Sequence, residues 1–362
     1  MSRRDALTGT AAMAAIASIT RTAEVSKAAT EVLQSTSSGN ASTSTLIPTW
    51  RLKGGVDFPK LALNTAGLDT ESTERAFRNA LRVGINHVEF HPGIERNGVA
   101  KVLRSMQGYP PSKIFLTTKI ETNWENSPSA EGAARYVKQR LDTDLEILGV
   151  SSLDMLLLRE STDCSVMRAM WAEMERELEA GRIRSLGVAN YCQSALQCLL
   201  ETAQYKPQVN YMQLHVGMGA FPKTRAFGEQ HGIKTLAYGH LGEKARPKDD
   251  TEQIRTNPIL LDIAQKYSKS VDEVALRWVL QNGAAASIRP TADFVFVPNK
   301  LGGTCQDPEC LEGLQASSQV FSWKLSSEEM KQLNALQTPN SNPTLFSSPG
   351  CPGSYFATKP MA

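Results

Sequence analysis

Long apolar runs are missing from this chain: no stretch reaches the roughly eighteen residues that a membrane-spanning helix needs. An excess of charge of one sign is missing as well. The 39 Lys and Arg against 37 Asp and Glu leave a formal net charge of +2. No run of basic residues makes a patch, which excludes a nucleic-acid footprint. Histidine is scarce, with five in the chain. The six cysteines (Cys164, Cys192, Cys198, Cys305, Cys310 and Cys351) form no CxxC pair and have no histidine clustered with them, so a zinc site is not expected. For a chain of this size the expectation is six unlinked thiols.

What is present describes a soluble globular protein, 41% hydrophobic and 21% charged over 362 residues, enough for one large domain or two small ones. The N-terminus stands apart. Arg3-Arg4 precede a weakly apolar run through Ile19, and Ser26-Lys27-Ala28 supplies small residues around a cleavage point. That layout is an export signal of twin-arginine type, with a plastid leader as the alternative and a cytoplasmic protein as the remaining one. Ser35 to Thr45 is a flexible linker by composition, so residues 1–48 are set aside from the fold. Residues 339–362, rich in Pro, Gly and Ser, read as an irregular tail.

Between these ends strands and helices alternate. Trp50 to Leu63 carries two short apolar runs around Gly54-Gly55, a hairpin signal. Thr70 to Val83 is a helix with Thr70 as its N-cap, His87 to Phe90 a strand, and Asn97 to Met106 a helix. Ile114 to Ile120 and Leu153 to Leu158 are buried strands on either side of a helix over Ser129 to Leu148. The stretch WAEMERELEAGRIRSLGVANY, Trp171 to Tyr191, is an amphipathic helix, a stop at Gly181 and a short buried strand ending at Ala189-Asn190. Strands follow at Gln208 to Leu214, Lys234 to Tyr238 and Phe294 to Val297, with helices between them and a last helix over Pro308 to Ser318. With Leu61 to Ala66 as the first, eight strands interleaved with helices predict an α/β fold, a single (β/α)8 barrel over residues 49–338. A doubly wound sheet is the alternative, but no GxGxxG follows the first strand.

In this order, GINHVEF, FLTTKI, LGVSSLDMLLL, GRIRSLGVANY, PQVNYMQLH, TLAYGHLG and DEVALRWVLQNG with FVFVPNK resemble the aldo/keto reductase family over residues 48–340. The resemblance implies a TIM barrel capped at its bottom by the N-terminal hairpin, and carbonyl reduction with NADP(H). It also implies a catalytic Asp, Tyr, Lys and His. At those positions this chain has Glu89, Ile94, Lys119 and Arg159. Isoleucine donates no proton and arginine keeps its own, although arginine clamps carboxylate or phosphate in two-point fashion. His91, two residues beyond Glu89, is the substitute acid, and His215 and His240 end strands six and seven. For the nucleotide, the resemblance implies contacts from Asn190 (beside Ala189), Tyr211, Tyr238 and Lys300. Gly313, Ala316 and Ser317 stand where the family grips the 2′-phosphate and adenine. Two functions follow: an NADP(H)-dependent oxidoreductase acting on a small carbonyl compound, or a non-catalytic barrel that binds an anionic ligand or a protein partner.

Overall fold

The computed structural model describes residues 46–337 apart from 107–112, 121–128, 160–162, 219–221, 243–249 and 291–303. The leader, the linker, Lys300, the Phe294 to Val297 segment and the C-terminal tail therefore lie outside the described residues.

A hairpin of β1 (Thr49–Arg51) and β2 (Asp57–Pro59) pairs Trp50 with Phe58 across an antiparallel ladder. Gly54 and Gly55, both at positive φ, make its turn. Eight parallel strands follow: β3 (Leu61–Asn64), β4 (His87–Glu89), β5 (Phe115–Ile120), β6 (Met155–Arg159), β7 (Leu186–Ala189), β8 (Val209–Gln213), β9 (Lys234–Tyr238) and β10 (Ala285–Ile288). They close into a barrel in chain order, β10 pairing with both β9 and β3. The helices are α1 (Thr70–Arg82), α2 (Ile94–Ser105), α3 (Ala130–Leu148), α4 (Cys164–Glu179), α5 (Gln193–Leu200), α6 (Pro222–Gln230), α7 (Asp250–Arg255), α8 (Pro258–Tyr267), α9 (Val271–Gln281), α10 (Glu309–Ser318) and α11 (Ser327–Ala335). Among the described residues no helix is long and apolar enough to cross a membrane.

The hydrophobic residues divide as a barrel requires. One cluster fills the space between strands and helices, with Trp171, Trp278, Phe77 and Phe90 fully buried in it. A second fills the barrel itself with Phe58, Phe115, Met155, Leu157, Leu236 and Ala285, and the hairpin's Leu52 and Val56 join it from below. Gly187 in β7 shows how closely the strands approach. A Cβ there would stand 2.6 Å from Leu157 Cδ2 and 2.8 Å from the Val209 carbonyl. Gly181, at φ +73, ends the α4 turn as its position in the sequence predicts.

Several expectations are corrected. The eighth barrel strand is Ala285–Ile288, not Phe294 to Val297. Its Ala-Ala-Ser-Ile composition has weak β propensity, and only the open edge between β9 and β3 makes it a strand. Helix α1 is capped by Asp69, whose carboxylate accepts the Ser72 N–H at 2.6 Å, one residue before the expected Thr70. Helix α2 starts at Ile94, three residues earlier than expected, after Gly93 at φ +102.

The thiols are not unlinked. Cys164 and Cys198 form a disulfide with Cα atoms 6.2 Å apart, and Cys305 and Cys310 form another at 5.2 Å. Cys192 is disulfide-bonded too. No motif announces a pair separated by 34 residues. The packing of α4 beside α5 is what brings Cys164 to Cys198.

Candidate active site at the barrel mouth

The C-terminal ends of β3 to β10 place the polar side chains, as the barrel fold dictates. Glu89 ends β4, opposite Thr117 of β5, and Lys119 lies two residues further along β5. Both are buried, at 0% and 2% exposure, and their charged atoms meet at 2.5 Å. Glu89 Oε2 also accepts the Tyr211 hydroxyl at 2.7 Å and the Ser287 hydroxyl at 3.2 Å. Burial works to raise the carboxyl's pKa. The Lys119 ammonium, the nearby His91 ring and the Tyr211 hydroxyl outweigh it, so Glu89 lies below the usual carboxylate range. Tyr211 moves the other way. Burial, the Glu89 charge and its hydrogen bond to Glu89 push the phenol well above 10.0. Tyr211 is therefore a fixed donor, and it also accepts from Asn64 Nδ2 at 3.0 Å.

Lys119 has a second neighbour. His91 Nε2 stands 3.1 Å from its Nζ, and the far side of the same ring, Nδ1, stands 3.1 Å from Glu95 Oε2. Four ionisable groups therefore form one chain, Glu89, Lys119, His91 and Glu95. The His91 side chain is 25% exposed, the part of this chain that solvent reaches most. Ile94, which the sequence resemblance aligns with the family's tyrosine, is 43% exposed at the start of α2. Arg159 ends β6, partly buried, with its carbonyl accepting the Tyr191 hydroxyl at 3.3 Å.

The two other histidines expected at strand ends belong to other surroundings. His215 is fully buried, with Nδ1 2.7 Å from the Val216 carbonyl. His240 lines a separate cavity, and burial, aided by the nearby Arg289, Arg255 and His215, lowers its pKa to about 4 against the pull of Asp272.

That cavity, about 160 Å³, opens between the β9 and β10 ends and α10. Gly239, His240, Arg289, Gly313, Ala316 and Ser317 line it, together with Asp272 and Glu273. The two acids are already matched, Asp272 by Arg255 at 2.9 Å and Glu273 by Lys269 at 3.0 Å. Beside the cavity, Asn190 takes a positive φ of 62°, and its Oδ1 accepts the Tyr238 hydroxyl at 2.7 Å. The Tyr211 and Tyr238 rings lie 4.6 Å apart.

The donor set suits a phosphorylated nucleotide. A guanidinium and a serine face a cavity that adjoins the Asn190, Tyr238 and Tyr211 cluster. A Cβ at Gly313 would come to 3.0 Å from the Pro290 carbonyl, so the backbone leaves little room for a side chain at this edge of the cavity.

The structure thus brings Glu89, Lys119 and His91 into one network, and Asn190, Tyr211 and Tyr238 into another joined to it through Tyr211. Sequence reasoning missed Glu95 and Arg289. Glu95 sits four residues after His91 in the first turn of α2, a signal hidden by starting that helix at Asn97. Arg289 follows the true eighth strand, so finding it required that strand.

The sequence pattern of the Aldo/keto reductase family matches residues 49–338. A Saccharomyces cerevisiae protein described as an NADPH-dependent alpha-keto amide reductase is 27% identical over 307 residues, covering 79% of this chain and 89% of its own. A glyoxal reductase of Bacillus subtilis is 26% identical, covering 82% of this chain and 98% of its own. Among solved structures, an aldo-keto reductase from a deep-sea metagenome library superposes with a TM-score of 0.67 at 20% identity, over 83% of this chain and 97% of that one. This last likeness bears on the fold alone.

Proposed function

The chain belongs to the aldo/keto reductase family, and from that premise we propose that it interconverts a small carbonyl compound and its alcohol with NADP(H). The observation that carries this reading is the buried Glu89–Lys119 ion pair, with a partly buried imidazole on the other side of the lysine. A buried ion pair is weak support for stability. At the mouth of a barrel it places an ammonium where charge develops on a carbonyl oxygen during reduction. NADPH, when bound, supplies the hydride. Asn190, Tyr211 and Tyr238 would hold its nicotinamide end, and Arg289 with Ser317 its phosphate-bearing end. Lys119 donates hydrogen bonds toward the oxygen, Glu89 holds Lys119 in place, and His91 carries the proton. Arg159 at the end of β6 favours substrates with a carboxylate or phosphate beside the carbonyl.

A second reading, a barrel that binds without turnover, is supported by Ala189, Ile94 and Gly313, which occupy family positions without the family's donors. Titrating NADPH into the purified full-length chain and following cofactor fluorescence separates the two. Saturable binding below high micromolar cofactor, with reduction of an aldehyde-bearing acid, is the expected result. Absence of binding rejects the reductase.

The disulfides support export, since such bonds persist in oxidising compartments. Replacing Arg3 and Arg4 together by lysine should leave the protein in the compartment of synthesis. Unchanged export would remove the twin-arginine reading.

A further inference from the structure

Glu95 is an acid that no motif carries, buried at 6% exposure in the first turn of α2. Its two oxygens are held by donors from two segments, the loop after β3 and His91. Oε1 accepts the Gly67 N–H at 2.7 Å. Oε2 accepts the His91 N–H at 2.9 Å and the Thr65 hydroxyl at 3.0 Å, and faces His91 Nδ1 at 3.1 Å. Burial opposes ionisation here, but the His91 ring and the backbone N–H groups hold the carboxyl below its usual range. Its place near a helix N-terminus acts in the same direction.

A carboxylate only accepts hydrogen bonds, so the ring nitrogen facing it must carry the proton. In the neutral imidazole that leaves the lone pair on Nε2, and Nε2 stands 3.1 Å from the Lys119 ammonium, which donates to it. The carboxylate itself cannot swing away, because the His91 backbone, Gly67 and Thr65 fix it independently of the ring. One residue thus receives two contacts from the same Glu95 oxygen, and both the position and the tautomer of its ring are set.

We infer that Glu95 is a positioning residue that holds His91 in the Nδ1–H tautomer, making His91 Nε2 the proton carrier at the barrel mouth in place of the hydroxyl missing at Ile94. This rests on the carbonyl-reducing role proposed above. For the reducing direction a proton from solvent first takes the Nε2 lone pair in place of the Lys119 hydrogen bond, so the ring starts doubly protonated, its charge offset by Glu95. As the carbonyl carbon gains the hydride, the oxygen takes the Nε2 proton: the N–H bond breaks, the O–H bond forms, and the N–H electron pair remains on Nε2. The ring is left neutral and regains a proton from solvent. In the oxidising direction the Nε2 lone pair accepts the alcohol proton. Carboxylate-held imidazoles of this kind act as general acids and bases elsewhere in enzymology.

The first test needs neither cofactor nor turnover. Nitrogen-15 labelling of histidine in the full-length chain, read by long-range nitrogen–hydrogen correlation at pH 8, reports the tautomer of each of the five histidines. The His91 signals are assigned by their loss in His91→Phe. The expected result is an Nδ1–H tautomer in the native chain, a mixed or Nε2–H population in Glu95→Gln, and recovery in Glu95→Asp. An Nε2–H tautomer in the native chain overturns the inference whether or not the variants fold. So does an unchanged tautomer in Glu95→Gln.

The second test asks whether the ring moves protons. His91→Phe should bind NADPH within twofold of the native chain and lose at least about a hundredfold in turnover of an aldehyde-bearing acid. Undiminished turnover overturns the proton-carrying role. A native chain that binds no NADPH overturns the reductase reading instead, and with it the proton-carrying role; the tautomer result is read separately.

Discussion

His87 and Glu89 are two residues apart on β4 and face the same barrel interior, yet they resolve burial in opposite ways. His87 has aromatic neighbours toward the barrel bottom, Phe58 at 4.9 Å and Phe115 at 4.6 Å between ring centroids. It directs Nδ1 to the Pro59 carbonyl and Nε2 to the Thr117 hydroxyl. No full countercharge touches it, and burial lowers its pKa to about 4 despite the Pro59 carbonyl and Glu89. Glu89 is equally buried but stays ionised, because Lys119 meets it at 2.5 Å. The barrel bottom neutralises its polar group and packs around it. The mouth keeps its charges and matches them one to the next.

The largest effect should come from removing a partner at the mouth. Lys119→Met leaves Glu89 buried without its cation and should cost about 3–5 kcal/mol of stability, together with any carbonyl reduction. Adding Glu89→Gln should recover most of the stability and none of the activity. Urea unfolding of both variants measures this, and a single variant as stable as the native chain would mean the ion pair does not hold the mouth together.

At the bottom, Phe58→Ala opens a cavity in the barrel interior and should cost about 3–4 kcal/mol. NADPH affinity, measured on the folded fraction, should stay unchanged, since Phe58 lies at the opposite end of the barrel from the Asn190–Tyr238 hydrogen bond. A loss of affinity would break the separation of the two ends.

Acidification should also discriminate between them. The folded His87 pKa, near 4, lies below the ordinary 6.5. Between those values the unfolded chain binds the proton and the folded one does not. Stability is therefore present above pH 6.5 and falls toward pH 4, by about 3 kcal/mol from this group. Glu89 and Glu95, both lowered from 4.5, add losses of the same sign at lower pH as each titrates through its folded value. Denaturation midpoints from pH 7 to 4 should flatten in part in His87→Gln, with His240, also lowered to about 4, carrying the rest of that limb, and an unchanged slope would remove His87 from it.

The smallest expected effect lies on the nucleotide side. Arg289→Met should weaken NADPH binding about tenfold, or about 1.4 kcal/mol, with NADH affected less. Equal losses for both cofactors would place Arg289 away from the extra phosphate.

Much of this was legible from residue order. The alternation of buried strands with amphipathic helices predicts the barrel. The positions of Glu89, Lys119 and Arg159 at strand ends, with His91 beside them, predict a shared site, and Glu89, Lys119 and His91 do meet. The eighth strand was misplaced because FVFV carries a stronger local β signal than Ala-Ala-Ser-Ile, and with it Arg289, which follows the true strand, was passed over, while Lys300 lies outside the described residues. Glu95 was missed because its role depends on where α2 begins and on Gly67 and Thr65, which are 28 and 30 residues away along the chain.

The sequence by itself determined the repeating strand and helix pattern, the hairpin and the composition of the barrel mouth, because periodicity and turn residues are local. Only the tertiary structure decided which strand closes the barrel, which cysteines pair, and which acid holds His91. Each of those depends on a contact between residues that local propensity does not connect, made when closure of the sheet and packing of the helices bring them within bonding distance.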